Sequence, residues 1–410
     1  MEDNEAIPLL SRLISIDSVF PRERALAEYC ANYLGNCGFS VKLQEFSPGR
    51  FNVIAQKGER NGSLLLSAHL DTVPPYNYGK RNPLRMETDK GRIQGLGCWD
   101  MKSGLALVLL CAKYSTPTSR GLRIILTADE ENISEGTWAA VKSGEYAGAA
   151  FCLCHEIPDT PDERTANSGN GQPTRQRNGN TAATPASSAG ASRANTALPS
   201  VRPPLILGRR GRVVYRFTVT GIGAHGAGTG GVSAIDLGMK LASALEAIPM
   251  PSGKTGPCRL FIRRFSSEST SLAIPTEATL EADVHYIPPY TNETFLAYLK
   301  EKLAGLQFPS GCSWSVEIPA RKTPYLPAYE TDAKNPLVAK FLSLYKQNIG
   351  NPEISYGLTV ADENVLSTTG IPIVTLGPLG GGAHSSEEWL SEKDFLLLAD
   401  KVPKIVQSLL

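Results

Sequence analysis

Four short apolar runs of this 410-residue chain each lead into acidic residues or a histidine, and this repeated arrangement constrains the fold more than any other feature. The runs and the polar residues after them are 64–67 with His69 and Asp71, 124–127 with Glu130 and Glu131, 151–154 with Glu156, and 371–376 with His384. Near-continuous apolar runs that alternate with helical patterns are typical of parallel strands covered by helices. We therefore predict an α/β domain with a mainly parallel sheet. Such sheets build their sites at the carboxyl ends of strands, so these polar groups are expected at one edge.

A second pattern follows in the middle of the chain. Strand-like runs at residues 213–219, 259–265, 279–286 and 313–318 are interleaved with helical patterns at 233–248 and 293–303. This β-α-β-β-α-β order predicts a ferredoxin-like α+β unit. The α/β pattern then resumes with a helix near 336–347, so the smaller domain interrupts the larger one. Near the start, apolar spacing predicts a helix from about residue 5 to 40 that Gly38 ends.

The length of the chain favours two domains, because one hydrophobic core rarely grows to this size. We predict that residues 1–158 and 321–410 form the catalytic domain and that 204–320 form the smaller one. Between them, residues 159–203 consist mainly of small and polar residues. Such a segment cannot bury enough apolar surface to offset its ordering entropy, and we expect a disordered, inert insertion.

Charge and composition exclude several kinds of partner. The net charge is +1, from 41 basic and 40 acidic residues, which gives no electrostatic basis for binding nucleic acid or an anionic membrane. No apolar run approaches the roughly 20 residues that a membrane helix needs, and the acidic start lacks the pattern of a secretion signal. Eight scattered cysteines, most of them in apolar runs, indicate reduced thiols. We therefore expect a cytoplasmic protein.

The polar residues at the strand ends, together with Asp100 ahead of a helix near residue 101, match the needs of a two-metal site. Zinc and hard divalent cations bind imidazole and carboxylate, and a metal pair about 3.5–4 Å apart needs a bridging carboxylate and terminal ligands on each ion. Asp71, two residues past His69, is close enough to orient its ring. Of the adjacent Glu130 and Glu131, one can bind metal while the other remains a general base.

Five motifs carry these residues across nearly the whole chain outside the insertion. They are SAHLDTVP at 67–74, GLGCWDMKSG at 95–104, DEE at 129–131, EIP at 156–158 and GAH at 382–384. Together they resemble the acetylornithine deacetylase, succinyl-diaminopimelate desuccinylase and carboxypeptidase G family of co-catalytic metallohydrolases, which also includes aminoacylases and dipeptidases. The resemblance implies a zinc-exopeptidase-like catalytic domain.

The resemblance also implies a role for each motif residue. Two divalent ions are expected, most readily zinc, with cobalt or manganese as alternatives. The implied ligands are Asp100 as the bridge, His69 and Glu156 on one ion, and Glu131 and His384 on the other. Glu130 would be the catalytic base that removes a proton from the attacking water, and Asp71 would support His69.

The smaller domain contributes a further implied residue, His225, in the glycine-rich turn 221–231. Members of the family have a similar histidine that stabilises the tetrahedral oxyanion, often from the partner subunit of a dimer. The resemblance therefore implies a homodimer formed through a lid and dimerisation domain.

Two departures from the family pattern concern the substrate. An asparagine common before Ile-Pro is replaced here by Ser271 and Ala273 around Ile274-Pro275, and a common basic residue is replaced by His285. Because guanidinium groups bind carboxylates bidentately, Arg259 and Arg263 are candidates to replace a lost carboxylate clamp. Ser271, His285, Arg259 and Arg263 are thus the candidate substrate-binding residues.

We therefore predict a metal-dependent amidohydrolase that cleaves an N-acyl amino acid or a short peptide, with a small-molecule amide as its substrate. A dipeptidase or carboxypeptidase is the nearest alternative, and assays against both substrate classes separate them. A biosynthetic enzyme that forms or transfers an amide at the same site is another. A non-catalytic binding module is the third alternative, and loss of a ligand or of the base would be its usual signature.

Overall fold

The larger part of the molecule is organised by a nine-stranded sheet in the computed structural model, which describes residues 5–158, 204–268 and 272–410. Strands are numbered here in chain order through the whole molecule. They are β1 Ser40–Ser47, β2 Arg50–Lys57, β3 Ser63–His69, β4 Glu87–Asp89, β5 Arg92–Gln94, β6 Leu122–Thr127, β7 Ala149–Cys154, β8 Leu205–Arg209, β9 Gly211–Thr220, β10 Ser252–Gly253, β11 Gly256–Pro257, β12 Arg259–Ser266, β13 Glu277–Tyr286, β14 Ser313–Glu317, β15 Tyr329–Glu330, β16 Ile354–Gly357, β17 Ile373–Thr375, β18 Gly380–Gly381 and β19 Trp389–Ser391.

The helices of the described residues are numbered in the same way. They are α1 Ala6–Ser15, α2 Arg24–Asn36, α3 Lys102–Tyr114, α4 Glu135–Lys142, α5 Ala234–Glu246, α6 Asn292–Leu303, α7 Pro336–Asn348, α8 Asp362–Leu366 and α9 Glu392–Leu409, with a short 3₁₀ turn at Ser367–Thr369. Within the described ranges, no helix combines the length and the apolar composition of a membrane-spanning segment.

The nine-stranded sheet is parallel at its centre, as predicted. Its order is β1-β2-β6-β3-β7-β17-β8-β15, with β16 also on β8, and the pairs β6–β3, β3–β7 and β7–β17 are parallel. Both faces of these strands are buried, and successive side chains point to opposite faces. Leu65 packs on one face, in a core that includes α4. Leu64 and Leu66 pack on the other face, in a core that includes α1, α2, α3, α7 and α9. The apolar runs are continuous because neither face meets water.

The smaller unit is a four-stranded antiparallel sheet in the order β12-β13-β9-β14. With α5 between β9 and β12, and α6 between β13 and β14, this is the β-α-β-β-α-β arrangement that the sequence predicts. Alternate residues of β9, such as Tyr215 and Phe217, form its core with α5 and α6. The chain passes between the two units twice, at Arg210 between β8 and β9, and at residues 318–328 between β14 and β15.

Two sequence predictions need correction. The single helix over 5–40 is wrong, because α1 ends at Ser15 and α2 begins at Arg24. Between them Val19 pairs with Thr72, and the backbone N–H of Phe20 donates to the Thr72 carbonyl. This segment therefore lies against the chain that follows β3. The strand β8, which the boundary at 204 assigned to the smaller domain, pairs with β17 in the large sheet. The predicted disordered insertion, 159–203, lies outside the described residues.

Candidate active site

The carboxyl edge of the large sheet gathers the predicted ligands from distant parts of the chain. His69 is the last residue of β3, the Glu130–Glu131 pair follows β6, Glu156 follows β7, and His384 lies in the turn between β18 and β19. The parallel strands β3, β6 and β7 end at the same edge, which is why the first three segments converge. His384 is instead carried by a separate antiparallel sheet, in the order β18-β19-β5-β4. Asp100 reaches the edge from the turn that precedes α3.

Asp100 lies between the two histidines, and each of its carboxylate oxygens faces one of them. Its Oδ1 is 3.3 Å from His69 Nε2, and its Oδ2 is 3.2 Å from His384 Nε2. Glu156 Oε2 is 3.5 Å from the same nitrogen of His69, and Glu131 Oε2 is 2.9 Å from that of His384. The five predicted ligands therefore form two groups that share Asp100.

These two groups have the donor chemistry of metal sites. In each of three sets the ligand atoms lie within 4.8 Å of one another, and the sets are His69 with Asp100 and Glu156, Asp100 with Glu131 and His384, and His69 with Glu130 and Glu131. Glu131 Oε1 is buried and has no hydrogen-bond partner among the described residues. A buried carboxylate oxygen without a partner costs free energy, so a bound cation fits the residues present.

The pKa shifts of these side chains support a bound cation as well. Burial, with the nearby Asp100, raises the pKa of Glu156 to about 8 and that of Glu131 to about 6. Burial also raises the pKa of Glu130 well above its ordinary value, although the charge of His69 opposes this shift. Hydrogen bonds to Asp100 and Glu131 raise the pKa of His384 to about 11. Several buried acids that repel one another are stabilised when positive charge lies between them.

Asp71 contacts both His69 and the turn that carries Glu130 and Glu131. Its Oδ1 lies 3.6 Å from His69 Nδ1, and that nitrogen is 3.0 Å from the Asp71 carbonyl. The same carboxylate accepts the backbone N–H groups of Glu130 at 3.2 Å and Glu131 at 2.9 Å. Asp71 thus orients the ring of one candidate ligand and also fixes the turn that carries the candidate base.

Glu388 is a functional candidate that the sequence did not suggest. Its buried carboxylate accepts the backbone N–H groups of Gly97 at 2.8 Å, and of Trp99 and Asp100 at 2.9 Å each. It lies four residues after His384, so one side chain joins the turn that carries Asp100 to the segment that carries His384. A glutamate near the last motif was the available signal, but its partners could not be read from local sequence.

A cavity of about 310 Å³ opens beside the ligands. Its lining residues are Asp100, Glu130, Glu131, Asn132, Glu156, Ile157, Arg209, Thr359, Val360, Ala361, Ala383 and His384. Arg209, at the end of β8, was not predicted. Its guanidinium donates to Glu363 at 3.2 Å, to the Thr359 hydroxyl at 3.3 Å and to the Ile157 carbonyl at 3.2 Å. It therefore ties three segments together at the cavity wall.

The candidate residues of the smaller unit are not among those that line the cavity. His225 is exposed, and its Nδ1 accepts the N–H of Ala227 at 3.2 Å. His285 is partly buried on β13, opposite the exposed Arg259. Arg263 lies 3.5 Å from Asp283 and 3.7 Å from Glu281. Ser271 lies outside the described residues.

Comparison with known proteins places these observations in context. The family model described as peptidase family M20/M25/M40 matches residues 65–408. The acetylornithine deacetylase of Pasteurella multocida is 38% identical over 129 residues, which cover 30% of this chain and 34% of that protein. The succinyl-diaminopimelate desuccinylase of Methylorubrum extorquens is 30% identical over 176 residues, covering 40% and 46%. The chain thus aligns with less than half the length of each of these curated relatives.

Solved structures extend the similarity to the whole fold. An aminopeptidase from Bacillus cereus has a TM-score of 0.74 at 17% identity, covering 100% of this chain and 99% of the other. A dinuclear metal binding peptidase from Bacillus subtilis has a TM-score of 0.63 at 15% identity, covering 99% and 98%. These matches confirm the predicted α/β fold. The family model covers most of the chain and confirms the resemblance seen in the motifs: the chain belongs to peptidase family M20/M25/M40.

Proposed function

We propose that this protein is a two-metal amidohydrolase that cleaves the amide bond of an N-acyl amino acid or a short peptide. The observation that carries the proposal is the position of Asp100, whose two oxygens face two separate groups of ligands. A bridging carboxylate with terminal ligands on either side is what a two-metal hydrolytic site requires.

The ligands in this proposal are Asp100 in both groups, His69 and Glu156 in one, and Glu131 and His384 in the other. Mixed imidazole and carboxylate donors suit zinc best, with cobalt or manganese as alternatives. Bound there, two such ions would lower the pKa of a water between them and polarise the amide carbonyl.

Glu130 is the proposed general base. It lines the cavity, its turn is fixed by Asp71, and its carboxylate lies within the same cluster as His69 and Glu131. It would take a proton from the attacking water and return it to the departing amine nitrogen, which needs a proton to leave. Asp71 keeps His69 in the orientation that its ligand role needs.

His225 is the proposed stabiliser of the oxyanion, acting from the partner subunit of a homodimer. Its exposure on the turn 221–231 agrees with a role toward another chain. The smaller unit also exposes large apolar side chains on its edge strand β12 and on α5, namely Phe261, Phe265 and Met239. Apolar side chains that form one contiguous exposed patch are typical of an interface, and we propose that a second copy covers this face.

Among amide substrates, we favour an N-acyl amino acid over a peptide. The two relatives described above are named as a deacetylase and a desuccinylase, whereas the structures of similar fold include a tripeptidase from Staphylococcus aureus, 19% identical with a TM-score of 0.72. Of the substrate-binding candidates, His285, Arg259 and Arg263 lie on neighbouring strands of the smaller unit. We assign them to the substrate carboxylate.

The test is a mass-spectrometric screen of zinc-loaded protein against N-acyl amino acids and dipeptides, with metal analysis of the same sample. We expect up to two ions per chain, and release of a free amino acid that stops after chelation and resumes when zinc is restored. Active protein without metal would overturn the ligand assignment. Incubation with free amine and acid is the arm that detects amide synthesis instead.

A further inference from the structure

The helix α8 follows the cavity wall and begins with three polar residues, Asp362, Glu363 and Asn364, all of them buried. Burying three successive polar side chains costs free energy unless each is hydrogen-bonded. Each of the three contacts a different part of the molecule, and none of them belongs to the ligand set described above. Their partners therefore indicate what the helix connects.

Asp362 contacts both ends of the turn that carries the candidate base. Its Oδ2 accepts the hydroxyl of Thr127, the last residue of β6, at 2.7 Å. The same oxygen accepts the hydroxyl of Thr137 on α4. The chain between these two threonines includes Glu130 and Glu131. One carboxylate oxygen thus holds the start and the end of that turn.

Asn364 contacts both segments that join the two units. Its Nδ2 donates to the carbonyl of Arg210, between β8 and β9, and to that of Pro327, between β14 and β15, at 2.8 Å each. Its Oδ1 accepts the N–H of Ala361 at 2.8 Å, so both ends of its amide are used. Residue 364 is therefore joined to both points where the chain crosses between the large sheet and the smaller unit.

Glu363 completes the connection. Its Oε1 accepts from Arg209 at 3.2 Å and from the hydroxyl of Thr375 on β17 at 2.7 Å. Arg209 in turn donates to the carbonyl of Ile157, next to the candidate ligand Glu156. The middle residue of the triplet thus fixes α8 to the cavity wall.

We propose that Asp362, Glu363 and Asn364 are positioning residues that couple the orientation of the smaller unit to the turn carrying Glu130. The short helix is a shared anchor: a rotation of the smaller unit at its two crossings moves Asn364, and Asp362 transmits the displacement to the turn. Substrate bound by the smaller unit would thereby align the base with the amide. This inference rests on the proposed function only in naming Glu130 as the base.

One other contact follows a different route. We call Arg210 the first crossing and residues 318–328 the second crossing. Thr323, in the second crossing, donates its hydroxyl to the carbonyl of Ile133 at 2.8 Å. It joins the second crossing directly to the same turn and does not involve α8. The first crossing, at Arg210, is therefore the better reporter, because the hydrogen bonds described for Thr323 join it to Ile133 and Arg321.

The experiment is hydrogen exchange on the full-length protein, read by mass spectrometry. Thr137→Val removes one donor to Asp362 while keeping the shape of the side chain. We expect exchange at residues 208–212 to rise about fivefold or more, since this variant loosens α8 at a distance. Asn364→Ala should produce the reciprocal rise at residues 129–135. Asn348→Ala is the matched control, because its side chain donates to the Leu344 carbonyl within α7.

Changes confined to the immediate neighbours of each substituted residue would overturn the coupling. If Asn364→Ala does not fold, Thr137→Val alone decides. Thr323→Val should leave exchange at 208–212 unchanged, and a rise there would assign the coupling to the second crossing instead. None of these measurements needs turnover, so a protein that couples the two units but hydrolyses no amide would refute the proposed function alone. In an active enzyme, Asn364→Ala should lower kcat at least tenfold with metal content unchanged, because it acts on placement of the base.

Discussion

The carboxyl edge of the large sheet and the exposed residues of the smaller unit differ in one respect: whether their candidate functional groups contact one another within a single chain. At the sheet edge, His69, Asp100 and Glu156 are buried and contact one another directly. In the smaller unit, His225 and Arg259 are exposed and are not among the residues that line the described cavity. The proposed metal site is therefore already assembled within one chain, whereas the proposed roles of His225 and Arg259 require contacts beyond those of the described cavity.

The largest expected effect tests the pre-formed cluster. Glu130→Gln should lower kcat about 10²–10⁴-fold, because an amide cannot accept the proton that a general base removes. Bound metal, measured by elemental analysis, should remain at the wild-type level. Glu135→Gln is the matched control, since Glu135 lies nearby on α4 but pairs with Lys322. A Glu130→Gln enzyme with normal turnover would remove this residue as the base.

The next effect tests whether the smaller unit acts across a dimer. His225→Ala should cost about 10²–10³ in kcat if this imidazole stabilises the oxyanion. Mixed with Glu130→Gln subunits and allowed to exchange, it should regain up to about a quarter of wild-type activity, since random pairing gives one complete site in half of the dimers. Activity in the mixture equal to the sum of the two parents would place His225 in its own subunit's site or outside the reaction.

A smaller effect is expected from Glu388, which supports the turn that carries Asp100. Glu388→Gln should weaken metal binding about 10–100-fold, because an amide cannot accept three backbone N–H groups as a carboxylate does. Zinc titration by calorimetry measures this directly. The adjacent Glu387→Gln is the control, as that side chain is 79% exposed. Equal zinc affinity in both variants would show that the Asp100 turn holds its shape without Glu388.

The smallest effect concerns His285. Burial lowers its pKa to about 4; Asp283 opposes this shift, and Arg212, Arg210 and Arg259 add to it. The folded state therefore keeps this ring neutral, while the unfolded chain takes up a proton near pH 6.5. The stability present above pH 6.5 is lost as the pH falls toward 4, by about 1 kcal/mol between pH 7 and 5.5. His285→Asn should lack this loss in urea unfolding.

Comparison of the two proteins at pH 7.0 and 8.5 is the internal control for His285. The folded ring is neutral at both pH values and the unfolded ring is at most about a quarter protonated, at pH 7.0, so the difference in their free energies of unfolding should change by no more than about 0.2 kcal/mol. An equal loss of stability on acidification in wild type and variant would show that His285 is protonated in the folded protein.

How much the sequence predicts depends on how local each signal is. His69, Glu131 and Glu156 follow apolar runs directly, and the convergence of parallel strands at one edge brings them together. Asp362 and Glu388 have no such signal, since they bond residues 235 and 288 positions away in sequence. The helix over 5–40 was wrong for a related reason: the pairing of Val19 with Thr72 overrides the helical spacing. Likewise β8 joins the large sheet by pairing with β17, which local sequence does not encode.

The hydrogen bonds that Glu388 accepts from three backbone N–H groups have a consequence for the order in which the candidate site can assemble. A ribosome that has translated as far as residue 380 has already made His69, Asp100, Glu131 and Glu156, but neither His384 nor the carboxylate that fixes the Asp100 turn. These four candidate ligands therefore precede in the chain both the fifth candidate and the carboxylate that supports the Asp100 turn. The second of the two proposed ligand groups can therefore form only after residues 380–391 have been made and β19 has paired with β5.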